Sequence, residues 1–381
     1  MNINTFAKDN TIVPSMSMHT FTWGFKINSE TYSMLFKLLI RNREAYTTAY
    51  YTKYTTYDYH SLGINRIEFM DYNHPYYRHL YYICFTINPR IITGKSTELY
   101  THIVEISKLK NLPATVESTL SKLCSSIEEI SANGKFRRID YCCNLWFNCQ
   151  ETVEVYLYLL KQAKVPYHFE IKKFFNLKQK RKTAECYAIT IVCKSYELSM
   201  YLKYPQLKAK YNNGSLNDPD ELDNARGQLR IELRENRTKL LNDKKKCLCN
   251  ESELLDGSNT CPRKTISKLL KNMYGTGDFM LYSDAKEEII NSRHRTSIKH
   301  QMLDVLKAVK SGHGFDPKKN GLNPNILAKI IPYFNELNLS PITLPKKKSE
   351  YCGEVIFPNP LKYITGESVE LLIDTDVFQT E

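Results

Sequence analysis

The sequence predicts an α+β protein: a mostly antiparallel sheet with helices packed on one face, a polar active face, and a helical C-terminal region. Three observations predict it. Several stretches alternate apolar and polar residues with period two, as half-buried strands do. Segments with helical spacing fall between them. Beyond about Leu241 the character changes, and residues 262 to 345 read as mostly helical.

The elements follow in order. His19 to Ile27 alternates, with Phe21, Trp23, Phe25 and Ile27 toward a core and Thr20, Thr22 and Lys26 away from it. Tyr32, Leu35, Phe36 and Leu39 then keep helical spacing. Ile64 to Met70 and Leu80 to Asn88 read as strands, the second ended by Asn88-Pro89. Val116, Leu120, Leu123 and Ile127 mark a helix that stops near Asn133-Gly134. Phe136 to Phe147 is the next strand, and Val153, Tyr156, Leu157 and Leu160 the next helix. Ala184 to Lys194 is apolar on both faces and reads as a central, buried strand; with Phe136 onward it resembles a βαβ unit. A helix is expected through Tyr196 to Tyr211, with Ser195 as its cap, then a strand at Gln228 to Arg234. Helices are expected at Ile266 to Met273, Asp284 to Asn291, Ser297 to Lys310 and Asn325 to Glu336. The domain reading is an α+β domain at 1–240, a linker at 241–261, a helical domain at 262–345 and an irregular tail at 346–381, relieved only at Glu367 to Leu372.

Composition narrows the function. The 381 residues suffice for one large domain plus a smaller one, or for two. A net charge of +12 favours an anionic partner, nucleic acid first and an anionic membrane surface second. No apolar run reaches the roughly 18 residues that span a bilayer, and Met1 to Asp9 holds no apolar signal core. The expectation is a cytoplasmic protein with no membrane partner. Eleven cysteines in a long chain without a secretion signal read as reduced thiols. Cys142 and Cys143 would point to opposite faces of a strand. Cys247-x-Cys249, followed by Cys261, lacks the usual zinc spacing and a near fourth ligand, so a lysine-rich surface loop is preferred. The 27 tyrosines, against 16 phenylalanines, have two explanations: the codon bias of an AT-rich genome, or stacking platforms for unpaired bases.

Charged residues then gather on the polar strand faces. Arg138 and Asp140 lie two apart, as do Arg230 and Glu232, so each pair shares a face. Lys26, Arg66, Glu68, Cys84, Thr86, Thr190, Lys194 and Arg234 belong to the same set. Asp140 and Glu232 are the expected ligands of a divalent cation, with salt bridges to the neighbouring arginines as the alternative. Arg138, Arg230 and Arg234 are expected to clamp phosphate oxygens of DNA. Lys180-Arg181-Lys182, with Tyr167, Phe174 and Phe175 nearby, is either a solvated loop or a grip on a DNA backbone.

In sequence order, Arg138-Ile139-Asp140, Lys194-x-x-Glu197-Leu198 and Gly227-x-Leu229-Arg230-x-Glu232 resemble the core of the rolling-circle replication initiators of filamentous phages and related plasmids. Ile87 to Gly94 resembles the segment that follows an early strand in that family, and Phe334 to Pro341 its closing helix and turn. The resemblance implies an origin-binding enzyme acting on single- and double-stranded DNA. A tyrosine would attack one strand, stay on the 5′ phosphate and free a 3′ hydroxyl, assisted by Mg²⁺ or Mn²⁺. It implies Lys194 and Glu197 as catalytic residues, with a host helicase and single-strand-binding protein as further partners. The family's central motif runs Tyr-x-Lys-x-x-Glu, and Val192 stands at its tyrosine position. The alternatives are Tyr196 as nucleophile, Tyr187 or Tyr201 in its place, or a non-catalytic origin-binding or replication-control protein. The wider class carries paired histidines on an early strand; Cys84 and Thr86 stand there, and the nearby His74 and His79 read as structural or exposed.

Overall fold

The computed structural model describes residues 16–40, 43–73, 79–93, 104–105, 112–124, 134–172, 187–214, 216–255, 260–312 and 314–365. Its strands are β1 (Ser17–Ile27), β2 (Glu44–Thr47), β3 (Tyr51–Thr56), β4 (Ile64–Tyr72), β5 (Leu80–Ile87), β6 (Val104–Glu105), β7 (Lys135–Trp146), β8 (Glu170–Ile171), β9 (Ala188–Val192), β10 (Tyr196–Leu202), β11 (Gln228–Asn236), β12 (Phe279–Met280) and β13 (Ile356–Phe357). The chain divides into two compact units. One joins Ser15–Cys142 to Glu232–Pro262, and the other is built from Cys143–Ile231 and Arg263–Glu381.

In the first unit the strand order is β2-β3-β4-β5-β1-β7-β11, with β6 also on β1. β1 runs antiparallel to both β5 and β7. Its back face is aromatic because period-two alternation puts Phe21, Phe25, Phe69 and Phe85 there, all fully or almost fully buried. The helix Ser29–Leu39, capped by Asn28, covers that face. Tyr32 meets Phe69 edge-on at 5.5 Å, and Phe36 meets Tyr54 at 4.9 Å. Asn236 caps the helix Arg237–Cys247, which occupies part of the stretch read as a linker. Glu251, just after it, accepts hydrogen bonds from the Phe136 amide and Arg237 and so fastens the start of β7.

In the second unit the order is β7-β11-β10-β9-β8. The helix Gln150–Leu160 buries Tyr156, whose ring packs 5.1 Å from Phe147 and whose hydroxyl donates to the Pro358 carbonyl. The expected C-terminal helices are present as Cys261–Tyr274, Tyr282–Asn291, Thr296–Ser311 and Pro324–Glu336. In the stretch read as an irregular tail, residues Lys346–Cys352 and Pro360–Thr365 form helices, while Glu367 to Leu372 lies outside the described residues.

Three local expectations are corrected. Tyr196 begins a strand, not a helix: β10 pairs with β9 as a hairpin, and the helix starts only at Lys203. Tyr196 to Leu202 carries apolar residues at both period-two and helical spacing, and pairing with β9 decides between them. β9 is not central, since only the two-residue β8 flanks it on its other side, and β11 and β10 separate it from β7. Finally, Cys247 and Cys261 form a disulfide, whereas the other described cysteines, Cys142 and Cys143 among them, are not disulfide-bonded. That pairing also removes two thiols from the zinc reading.

Candidate metal centre

The polar front of the first unit is built by cross-strand pairing. Asp140 sits opposite Thr20, and Arg138 opposite Thr22. Thr22 in turn faces Thr86, their hydroxyl oxygens 3.0 Å apart, and Arg66 Nε donates to Thr86 at 3.1 Å. These residues therefore share one face, and the expected gathering of Arg66, Glu68, Thr86, Arg138, Asp140, Glu232 and Arg234 is found there. Glu68 is already engaged, by Lys53 at 3.2 Å and Arg66 at 3.4 Å. Cys84 lies on this face but is buried, and burial pushes its thiol up to about 12. It stays protonated at neutral pH, a poor ligand.

Asp140 is the centre of the arrangement. It is 1% exposed, so its charge depends on close partners. Thr20 Oγ1 donates to Oδ2 at 2.5 Å, and Arg234 Nε donates to Oδ1 at 3.2 Å. Arg138 Nε forms an ion pair with Oδ1 at 2.9 Å. Burial pulls the Arg138 guanidinium below its ordinary value, with Asp140 opposing and Arg234 adding to the shift. Arg234 also donates to Glu232 Oε1 at 3.2 Å.

The residue that sequence reasoning missed is His19. Its Nδ1 lies 3.2 Å from Glu232 Oε2. Donor atoms of His19, Asp140 and Glu232 all fall within 4.8 Å of one another. Strict alternation through Phe21 assigns His19 to the apolar back. The register does not allow it: Met18 pairs with Tyr141 and Thr20 with Asp140, so His19 is an extra residue in a β-bulge. The bulge rephases the strand. Met18 turns into the core at 1% exposure, and His19 joins Thr20 on the front. A histidine next to the first polar residue of an alternating strand was the only signal available.

The donor set fits a divalent cation. One imidazole nitrogen and two carboxylates suit Mn²⁺, and the carboxylates suit Mg²⁺ as well. Asp140 and Glu232 are held from the sides by arginines, so their positions are fixed before any ion arrives. This is the arrangement that metal sites use to orient their ligands.

No family model matches the sequence, and no curated protein matches it. Among solved structures the chain is similar to a rolling circle replication initiator protein from Geobacillus stearothermophilus. The match has a TM-score of 0.29 and 10% identity, over 68% of this chain and 85% of that one.

The other expected site residues lie in the second unit. Arg230 is fully buried and its Nε donates to Asn144 at 2.8 Å. On the β9–β10 hairpin, Lys194 is exposed at the turn. Glu197 pairs directly opposite Val192 and takes a salt bridge from Lys172 at 2.8 Å. Thr190 and Ser199 lie on the same side, 2.8 Å apart. Tyr196 alternates to the other side, that of Leu198 and Met200, and its ring meets Phe169 at 5.3 Å. Tyr201 shares the Glu197 side and is 9% exposed. Lys180, Arg181 and Lys182 lie outside the described residues. Among the described residues, no helix is long and apolar enough to cross a membrane.

Proposed function

We propose that this chain is a DNA replication initiator that binds an origin, then nicks and rejoins one strand, with His19, Asp140 and Glu232 holding a Mg²⁺ or Mn²⁺ ion. One observation carries the reading: three potential ligands converge on a sheet face between two arginines. The two carboxylates and two guanidiniums balance in charge, so an added divalent cation calls for an anionic ligand such as a phosphodiester. The bound ion would polarise a phosphate oxygen as a Lewis acid. Arg138 and Arg234 would hold the remaining oxygens and offset charge that develops on them. Thr20 keeps the Asp140 carboxylate oriented.

In the nicking step the tyrosine hydroxyl gives up its proton as its Oη–P bond forms, the P–O3′ bond breaks, and O3′ takes up a proton. Strand alternation supports Tyr201 over Tyr196 as nucleophile, because Tyr201 shares the side of Glu197. Lys194 and Glu197 would serve that step, and Lys180, Arg181 and Lys182 would add contacts to the DNA backbone. A suicide oligonucleotide bearing the origin is expected to leave a covalent adduct in Mn²⁺, lost in Asp140→Asn and in whichever of Tyr201→Phe and Tyr196→Phe removes the nucleophile. An adduct that survives both tyrosine changes removes both assignments. The second reading, an origin-binding protein that does not cut, is favoured by Val192 opposite Glu197. It predicts tight origin binding with no adduct while every tyrosine is intact.

A further inference from the structure

A row of tyrosines crosses the polar front of the first unit, away from the metal centre. Tyr46, Tyr51, Tyr72 and Tyr82 come from β2, β3, β4 and β5 in turn. Successive ring centroids are 6.1, 5.5 and 5.7 Å apart. Pairing puts them on one face: Tyr46 is opposite Lys53, Tyr51 opposite Tyr72, and Tyr82 opposite Met70, two residues from Tyr72. Tyr46 is 56% exposed and the other three are half-buried, so the rings are presented to solvent and not consumed by the core. Packing does not require them there, since the aromatic core of this unit is on the back.

The row ends on a cation. The Arg137 guanidinium lies 4.5 Å from the Tyr82 ring centroid. Arg137 belongs to β7, and β1 stands between β7 and β5. Two features let it cross. A second register shift pairs Thr22 with Arg138 but Trp23 with Phe136, which leaves Arg137 as an extra residue turned to the front. Gly24 then leaves a gap on β1: a Cβ there would lie 2.9 Å from Arg137 Cγ and 2.8 Å from Cys84 Sγ. Arg137 therefore reaches toward the tyrosines while its neighbour Arg138 reaches toward Asp140. From the Thr20–Asp140 pair to the level of Lys26 and Tyr82 is six residues of β1, about 20 Å at strand rise.

We propose that this row is a stacking track for unpaired bases of single-stranded DNA, with Arg137 and Arg138 leading the backbone toward the metal centre. Bases in a duplex are already stacked on one another, whereas an unpaired base offers a free face to a tyrosine ring. The proposal deepens the DNA reading of the same face and rests on it.

The test uses the full chain in EDTA and a fluorescent oligothymidine of about 12 nucleotides. Tyr51→Ala and Tyr82→Ala are each expected to weaken binding about tenfold, and Tyr82→Phe to bind as wild type does. An abasic strand of the same length should bind weakly and be indifferent to the tyrosine changes. Unchanged affinity in both alanine variants, folded by circular dichroism, would overturn the track. So would an abasic strand that binds as well as oligothymidine. Tighter binding of oligouridine would overturn the choice of DNA. Mn²⁺ titration of the same proteins separates the two readings. Metal binding without base-dependent oligonucleotide binding sinks the track and leaves the centre standing; the reverse outcome sinks the centre.

Discussion

In the first unit, Asp140 with Glu232 and Glu235 with Asp243 are two ways of bringing a pair of buried acids together. Both pairs draw on β11, where Glu232 and Glu235 alternate to opposite sides. On one side, Lys239 Nζ stands 3.3 Å from Glu235 and 2.5 Å from Asp243, so an ammonium occupies the place between the carboxylates. On the other, Arg138 and Arg234 approach from the flanks, and His19 closes the triangle. The first cluster carries its own cation; the second is shaped to accept one. Two acids close together are therefore weak evidence for a metal until the position of the nearest positive charge is known.

Removing Lys239 should have the largest effect on stability. Lys239→Met strips two buried carboxylates of their shared cation and should cost about 3–5 kcal/mol in chemical denaturation. A loss below about 1 kcal/mol, the range of surface pairs, would erase the contrast.

The pH dependence should come next in size. Burial raises Glu235 from the ordinary 4.5 to about 7, with Asp243 adding to the rise and Lys239 opposing it. Its folded value lies above its unfolded one, so the folded state holds the proton more tightly. The stability this contributes is fully present below pH 4.5 and is lost as pH rises through about 7. The span corresponds to about 3 kcal/mol. Unfolding free energy measured across that window should fall with pH in the wild type, and Glu235→Gln should flatten the fall.

Metal affinity gives the last and smallest step. Asp140→Asn should weaken Mn²⁺ binding about 100-fold by calorimetry, while Asp243→Asn leaves it unchanged. His19→Ala should weaken Mn²⁺ more than Mg²⁺, because imidazole suits the former better. Equal losses for both ions would place His19 outside the ligand set.

Much of this was legible in the chain. Alternation exposed β1, β5, β7 and β11, and two-residue spacing brought Arg138, Asp140, Glu232 and Arg234 to one face. The C-terminal helices were readable because each keeps an apolar stripe at helical spacing. What escaped has a common physical cause: partners distant in sequence decide it. Tyr196 to Leu202 fits either period until β9 pairs with it. Cys247 finds Cys261 only once the loop between them closes. Arg230 and Arg234 look alike in sequence, yet one is wholly buried and the other flanks the acids.

The bulge at His19 gives the centre an unusual kind of vulnerability. The site depends on a count of residues between Met18 and Thr20, not only on which residues they are. Most substitutions there would change one side chain and leave the phase of the strand intact. A one-residue deletion would restore strict alternation: loss of His19 removes the imidazole and leaves Met18 in the core, and loss of Met18 would turn His19 to the apolar back, away from the acids. In genetic terms the centre is better protected against point mutation than against the loss of a single codon.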